Sequence, residues 1–119
     1  MKEGIHSIFQ EVIMLAKRLV SIPSTVDNPQ ALRDVLSLAK SELRDFHIEE
    51  FESNGIHSVL VSKQKTKSFT VLLHAHLDVV PANTYTLVEK DGMLYGRGVY
   101  DMKVAAAVMI VLFKEIAHR

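Results

Sequence analysis

One stretch, residues 71–103, constrains the chain more than any other: VLLHAHLDVVPANTYTLVEKDGMLYGRGVYDMK. The apolar run 69–73 leads directly into His74, His76 and Asp78. A second segment ends in Gly96-Arg97-Gly98 and brings Asp101 to the start of a strongly helical run. In an extended strand alternate residues share a face. His74, His76 and Asp78 then project together, and Ala75, Leu77 and Val79 point the other way. The rest of the chain is read around these two segments.

The residue types indicate the chemistry open to that arrangement. Imidazole and carboxylate are the usual nitrogen and oxygen ligands of zinc. A zinc-bound imidazole normally donates its second ring N–H to a carboxylate, which fixes its tautomer and orientation. His76 followed two residues later by Asp78 suits a ligand and its orienting partner. Asp101 lies 23 residues beyond Asp78, just before a helix. A carboxylate there can bridge two metals from the opposite side of a cleft. A lone His-x-Asp pair is commonplace, and a lone Gly-x-Gly is usually a turn. The combined string is much rarer.

That string resembles the zinc-dependent family of acetylornithine deacetylase, succinyl-diaminopimelate desuccinylase, aminoacylase and carboxypeptidase G. The strongest blocks are His76-Leu77-Asp78-Val79-Val80-Pro81 and Leu94-Tyr95-Gly96-Arg97-Gly98, the latter running on to Asp101-Met102-Lys103. Weaker likeness runs through the whole chain, including Ser21-Ile22-Pro23-Ser24. The resemblance implies that His76 is a terminal ligand of one zinc. It implies that Asp78 is the orienting carboxylate, counted with the catalytic residues, and that Asp101 bridges both zincs. It also implies two zinc ions per complete site, with cobalt or manganese as substitutes. The implied substrate is a small peptide or an N-acyl amino acid, cleaved at an amide bond.

Two positions depart from the family pattern. Glycine usually follows the Asp-Met-Lys motif, where this chain has Val104. His74 is not among the usual ligands and reads as a hydrogen-bonded histidine under the site, with an adventitious ligand as the alternative. The family's Glu-Glu pair, which supplies the general base and a ligand, is expected beyond Arg119, as are a further carboxylate and a distant histidine. Glu49-Glu50 lies upstream in a strand and reads as a solvated edge. No general base is therefore expected in this chain. Residues 1–119 read as the N-terminal portion of a metallohydrolase catalytic domain, with the remaining catalytic segment and the lid or dimerisation domain absent.

Composition narrows the class. At 119 residues one domain is expected, burying roughly two thirds of its unfolded surface. Fourteen basic residues balance fourteen acidic ones, so there is no electrostatic case for nucleic acid or an anionic membrane. The chain has no cysteine. That removes disulfides and thiolate zinc sites and fits a reducing, cytoplasmic setting. The longest apolar run, 104–113, is too short to span a bilayer.

Periodicity predicts a first helix over about 5–20, with Pro23 marking its end. A second helix starts at Pro29 behind an Asn28 cap and buries Leu32, Val35, Leu36, Ala39 and Leu43. Strands are expected at 46–51 and 56–62, joined by an Asn54-Gly55 turn, and at 69–73 as the most buried strand. Lys63 to Lys67 would form a solvated hairpin loop between the last two. Asp91-Gly92 forms another turn, between 85–89 and 93–95. The last helix should run from Asp101 to about Ala117, apolar almost all round and hence buried. The order argues an α/β layered fold, and the resemblance implies a helix-sheet-helix arrangement with a mixed sheet. Left with too little cover for its last helix, the chain is expected to self-associate.

Two functional readings follow. One is a two-zinc hydrolase in which this chain alone is inactive and binds metal weakly or not at all. The other is a non-catalytic binding or regulatory fragment that retains the fold.

Overall fold

The computed structural model describes residues 2–119. In chain order the elements are α1 (Lys2–Val20), α2 (Pro29–Glu42), β1 (His47–Ser53), β2 (Ile56–Ser62), β3 (Val88–Lys90), β4 (Met93–Tyr95) and α3 (Val104–Ala117). This is an α/β arrangement. Among the described residues no helix is long and apolar enough to cross a membrane.

The core is made where three helices meet. Val12, Leu15, Ala16 and Leu19 of α1 pack with Val35 and Ala39 of α2, with Leu43 just beyond it, and with Ala107, Ile110 and Val111 of α3. Small residues on α3 let it approach α1 closely. Phe46 closes one end of the core, edge-on to Phe113 at a centroid distance of 5.0 Å. A polar tie links the same three helices at the rim. Lys114 of α3 donates to Glu11 of α1 at 3.1 Å and to Glu42 of α2 at 3.2 Å, and Glu42 also accepts from Arg18 at 3.0 Å.

The local signals read from sequence form as expected at several points. Asn28 caps α2, its side-chain oxygen accepting from Ala31 N–H at 3.1 Å, and Pro29 occupies the first turn where its missing N–H costs nothing. Both two-residue turns have positive φ at each central residue: Asn54 52° and Gly55 80°, then Asp91 53° and Gly92 73°. That is the type I′ pattern whose twist suits an antiparallel hairpin. β1 accordingly pairs with β2, and β3 with β4, both antiparallel.

Two expectations are corrected. Residues 69–73 form no strand, and Phe69, Val71, Leu72 and Leu73 are exposed. A strand is stable only when its backbone groups are paired, and among the described residues the sheets are two separate hairpins that offer this run no partner. The basic residues 63–67 are therefore not a hairpin loop. They open a long irregular connection that continues to β3. The expected mixed sheet is replaced by these two antiparallel pairs.

The second correction concerns where α3 begins. Residues 99–103 form one wide turn, closed by Lys103 N–H donating to the Gly98 carbonyl at 2.7 Å. Asp101 and Met102 have non-helical backbone angles, and the peptide between them is cis. The helix starts only at Val104. The incomplete cover expected for α3 is also seen. One side of it is buried, but Val108, Leu112 and Ile116, spaced four apart, form an exposed stripe. The described residues place α1 against one side of α3 and nothing over that stripe.

Candidate metal centre

The 22–25 turn after α1 is the anchor for everything around the centre. Pro23 ends the helix, and the chain folds back so that Ser24 is fully buried. Ser24 then makes two hydrogen bonds to the segment carrying His76 and Asp78. Its hydroxyl donates to the Leu77 carbonyl at 2.6 Å, and its own carbonyl accepts from Val79 N–H at 2.9 Å. These bonds hold 77–79 extended without a sheet. Side chains alternate as in a strand: Val79 is buried and Leu77 packs on the core, while Asp78 faces solvent.

The second segment is drawn to the same turn from the other side. Lys103 is fully buried, and its ammonium donates to the Ile22 carbonyl at 2.7 Å. Asp101, two residues earlier, is left pointing outward, its side chain 78% exposed.

His76 and Asp101 consequently meet. The ring Nε2 of His76 lies 2.9 Å from Asp101 Oδ1. The ring Nδ1 lies 3.2 Å from Asp78 Oδ1 and 3.2 Å from the Asp78 carbonyl oxygen. Each ring nitrogen thus faces a different carboxylate, one from each segment. Burial pushes the imidazole down, but the hydrogen bond with Asp101 and the charge of Asp78 outweigh it and hold the ring above its ordinary 6.5.

The donor set suits a cation. If Nδ1–H is donated to Asp78, Nε2 presents either a second proton or a lone pair to Asp101. Only a proton or a cation in that gap makes the contact favourable. Two ligands of one tetrahedral zinc, at bonds of about 2.0–2.1 Å, stand about 3.3 Å apart. The 2.9 Å contact is a little shorter than that separation, as a direct hydrogen bond is. The residues fit zinc as two ligands and an orienter and supply no more, for among the described residues no group of three or more His, Cys, Asp or Glu converges to hold a metal.

His74 does not join them. It is exposed rather than beneath the site, because the run before it has no sheet to enter. Glu50 is exposed on β1 and pairs with Lys40. Val104, the departure from the family glycine, is half-buried against the core.

Ser24 and Lys103 are the contributors that residue types alone do not announce. The Ser21-Ile22-Pro23-Ser24 block carried the only hint of the first. Nothing in a lysine before a helix signals burial.

Lys103 gives the centre a pH signature. Burial pushes its ammonium from 10.5 down to about 8, against the opposing charge of Asp78. Below about 8 both folded and unfolded chains hold the proton and the folded state bears the whole burial cost. Between about 8 and 10.5 the folded chain has released a proton that the unfolded chain keeps, so stability rises with pH across that window. The gain has a ceiling of about 3.5 kcal/mol, at roughly 1.4 kcal/mol per unit. Urea midpoints taken across the window should climb for the wild type more than for Lys103→Met. Parallel curves would contradict this account of the lysine.

Comparison with known proteins bears on the same segment. Residues 72–119 match peptidase family M20/M25/M40. The chain is 33% identical over 112 residues to a succinyl-diaminopimelate desuccinylase of a Nitratiruptor species, covering 88% of this chain and 30% of that protein. It is 31% identical over 118 residues to the protein of the same name from Corynebacterium glutamicum, covering 98% and 31%. With that of Wolinella succinogenes it shares 31% over 113 residues, covering 90% and 30%. The chain thus spans a little under a third of the length of the curated relatives it matches.

Proposed function

Because the chain belongs to the M20/M25/M40 peptidase family, we propose that it carries the first metal ligands of a hydrolase acting on N-acyl amino acid or peptide amide bonds. The observation that carries this is the His76 ring held between Asp78 and Asp101. In the proposed site His76 and Asp101 would hold zinc, and Asp78 would fix the His76 ring through Nδ1. Asp101 is 78% exposed, so its second oxygen is free to serve another metal, which supports a two-metal site. Bound zinc would polarise the amide carbonyl and bring the pKa of water toward neutrality.

The chain's own residues prepare the site for that chemistry. Asp78 leaves Nε2 free to act as a ligand. Asp101, on a turn rather than in a helix, can reach across from the second segment. The carboxylates at this pair, Asp78 and Asp101, are both engaged with the His76 ring. Residues 1–119 alone are therefore expected to hydrolyse nothing. The relatives' name, succinyl-diaminopimelate desuccinylase, makes an N-succinyl amino acid the substrate to try first.

The test is to express the reading frame that contains these residues to its own stop codon. Zinc content and release of amine from N-succinyl and N-acetyl amino acids and dipeptides are then measured. Zinc-dependent turnover is the result expected. A full product with no bound zinc and no amidase activity would overturn the proposal and favour a non-catalytic binding role.

The exposed Val108, Leu112 and Ile116 stripe lies in a shallow apolar groove beside Ile8 and Val12 of α1. It supports self-association of the 119-residue chain. Contiguous apolar patches of a few hundred Å² usually mark an interface. Sedimentation should show mass rising with concentration; a clean monomer throughout would contradict it.

A further inference from the structure

Three segments lock together beneath the exposed His76, Asp78 and Asp101. The 22–25 turn is bound to 77–79 by Ser24 and to 98–103 by Lys103. The two arms also touch each other at Gly98, whose φ is +89°. A β-carbon there would stand 2.7 Å from Val79 Cγ1 and 3.2 Å from Lys103 Cδ. Ser24, Val79 and Lys103 are all buried, and Thr25 beside them is too. The side chains they underlie are 41–78% exposed. Solvent-exposed side chains of this kind have little packing of their own to fix them. Their relative placement has to come from the backbone below.

We infer that Ser24 and Lys103 are positioning residues: they join both arms to the 22–25 turn and thereby set the separation of His76 and Asp101. The inference rests on the proposed role of that pair as metal ligands, and it extends the site to residues that touch neither metal nor substrate. The chemistry favours a bond over mere packing. A lysine ammonium taken wholly out of water is costly unless hydrogen-bonded, and here it reaches 81 residues back along the chain to one carbonyl. The Ser24 hydroxyl bond spans 53 residues. Long-range ties between irregular segments are the means by which a site is held to within about 0.5 Å when no sheet holds it.

The test reads the pair directly in the metal-free chain. In wild type, NMR should show cross-relaxation between the His76 ring protons and the Asp101 β-protons. Lys103→Met keeps length and apolar bulk but leaves Ile22 without its donor. Ser24→Ala removes only a hydroxyl. In either variant the ring–Asp101 signal should be lost while α1–α3 core contacts, such as those between Leu19 and Ala107, persist. A lysine or serine that serves stability alone would lower the melting temperature and leave that signal intact in the folded population. Retention of the signal at wild-type strength in both variants overturns the inference. If Lys103→Met does not fold, Ser24→Ala decides it. Zinc added to the wild type is a separate arm. No shift at His76 or Asp101 would count against the metal reading, while the metal-free signal still decides the positioning role.

Discussion

Asp78→Asn lowers zinc affinity or hydrolytic activity about 10–100-fold in the full reading-frame product, with little change in melting temperature. Asp78 is exposed, and it stands 3.2 Å from His76 Nδ1. Its carboxylate can only accept, so Nδ1 must carry the proton and Nε2 is left free for the metal of the proposed site. An asparagine amide can donate as well as accept and no longer enforces that tautomer. The substitution also removes the negative charge that helps hold the ring's pKa up. The Asp78 carbonyl, equally close to Nδ1, survives the substitution, so the loss should be partial rather than complete. Calorimetric zinc titration of the wild type and variant, beside melting curves, checks this. Equal affinities would remove Asp78 from the site.

Leu19→Ala should cost about 2–5 kcal/mol, the range for emptying a well-packed leucine site. Leu19 is fully buried among α1, α2 and α3. It also stands one turn before the 22–25 anchor, so a cavity there loosens the base of the centre. A loss of this size is a large part of the roughly 5–15 kcal/mol that stabilises a typical domain. Urea unfolding read by far-ultraviolet dichroism gives the difference. A loss below about 1 kcal/mol would mean that the site collapses to fill the gap, as the spread in such series allows only for poorly packed positions.

What sequence could show depended on the range of the forces involved. The Asn28-Pro29 cap, the two I′ turns and the helix stripes are local, decided within a few residues, and they form where the residues indicate. The spacing of His76 and Asp78 is also local, and alternation between them survives because Ser24 holds the segment extended. The run 69–73 failed as a strand for a non-local reason. Strand propensity needs a partner, and none of the described strands is placed to pair with it. The incomplete cover of α3 was legible, because an all-apolar helix needs more burial than the few elements of this chain can supply. The wide turn at 99–103 accompanies the bond from Lys103 to Ile22, a contact across 81 positions that no periodicity encodes. The resemblance supplied the approach of Asp101 to His76, which spacing alone left open.

The most direct measurement is a zinc titration of the chain followed by NMR at His76 and Asp101, repeated with His76→Ala and Asp101→Ala. Two ligands leave a four-coordinate zinc with two or more positions to water, so binding should be saturable but far weaker than the roughly 10–16 kcal/mol of structural zinc sites. The predicted result is one weak site centred on these two residues, abolished by either substitution. Zinc binding that persists unchanged in both variants, or that never perturbs either residue in the wild type, would contradict the account.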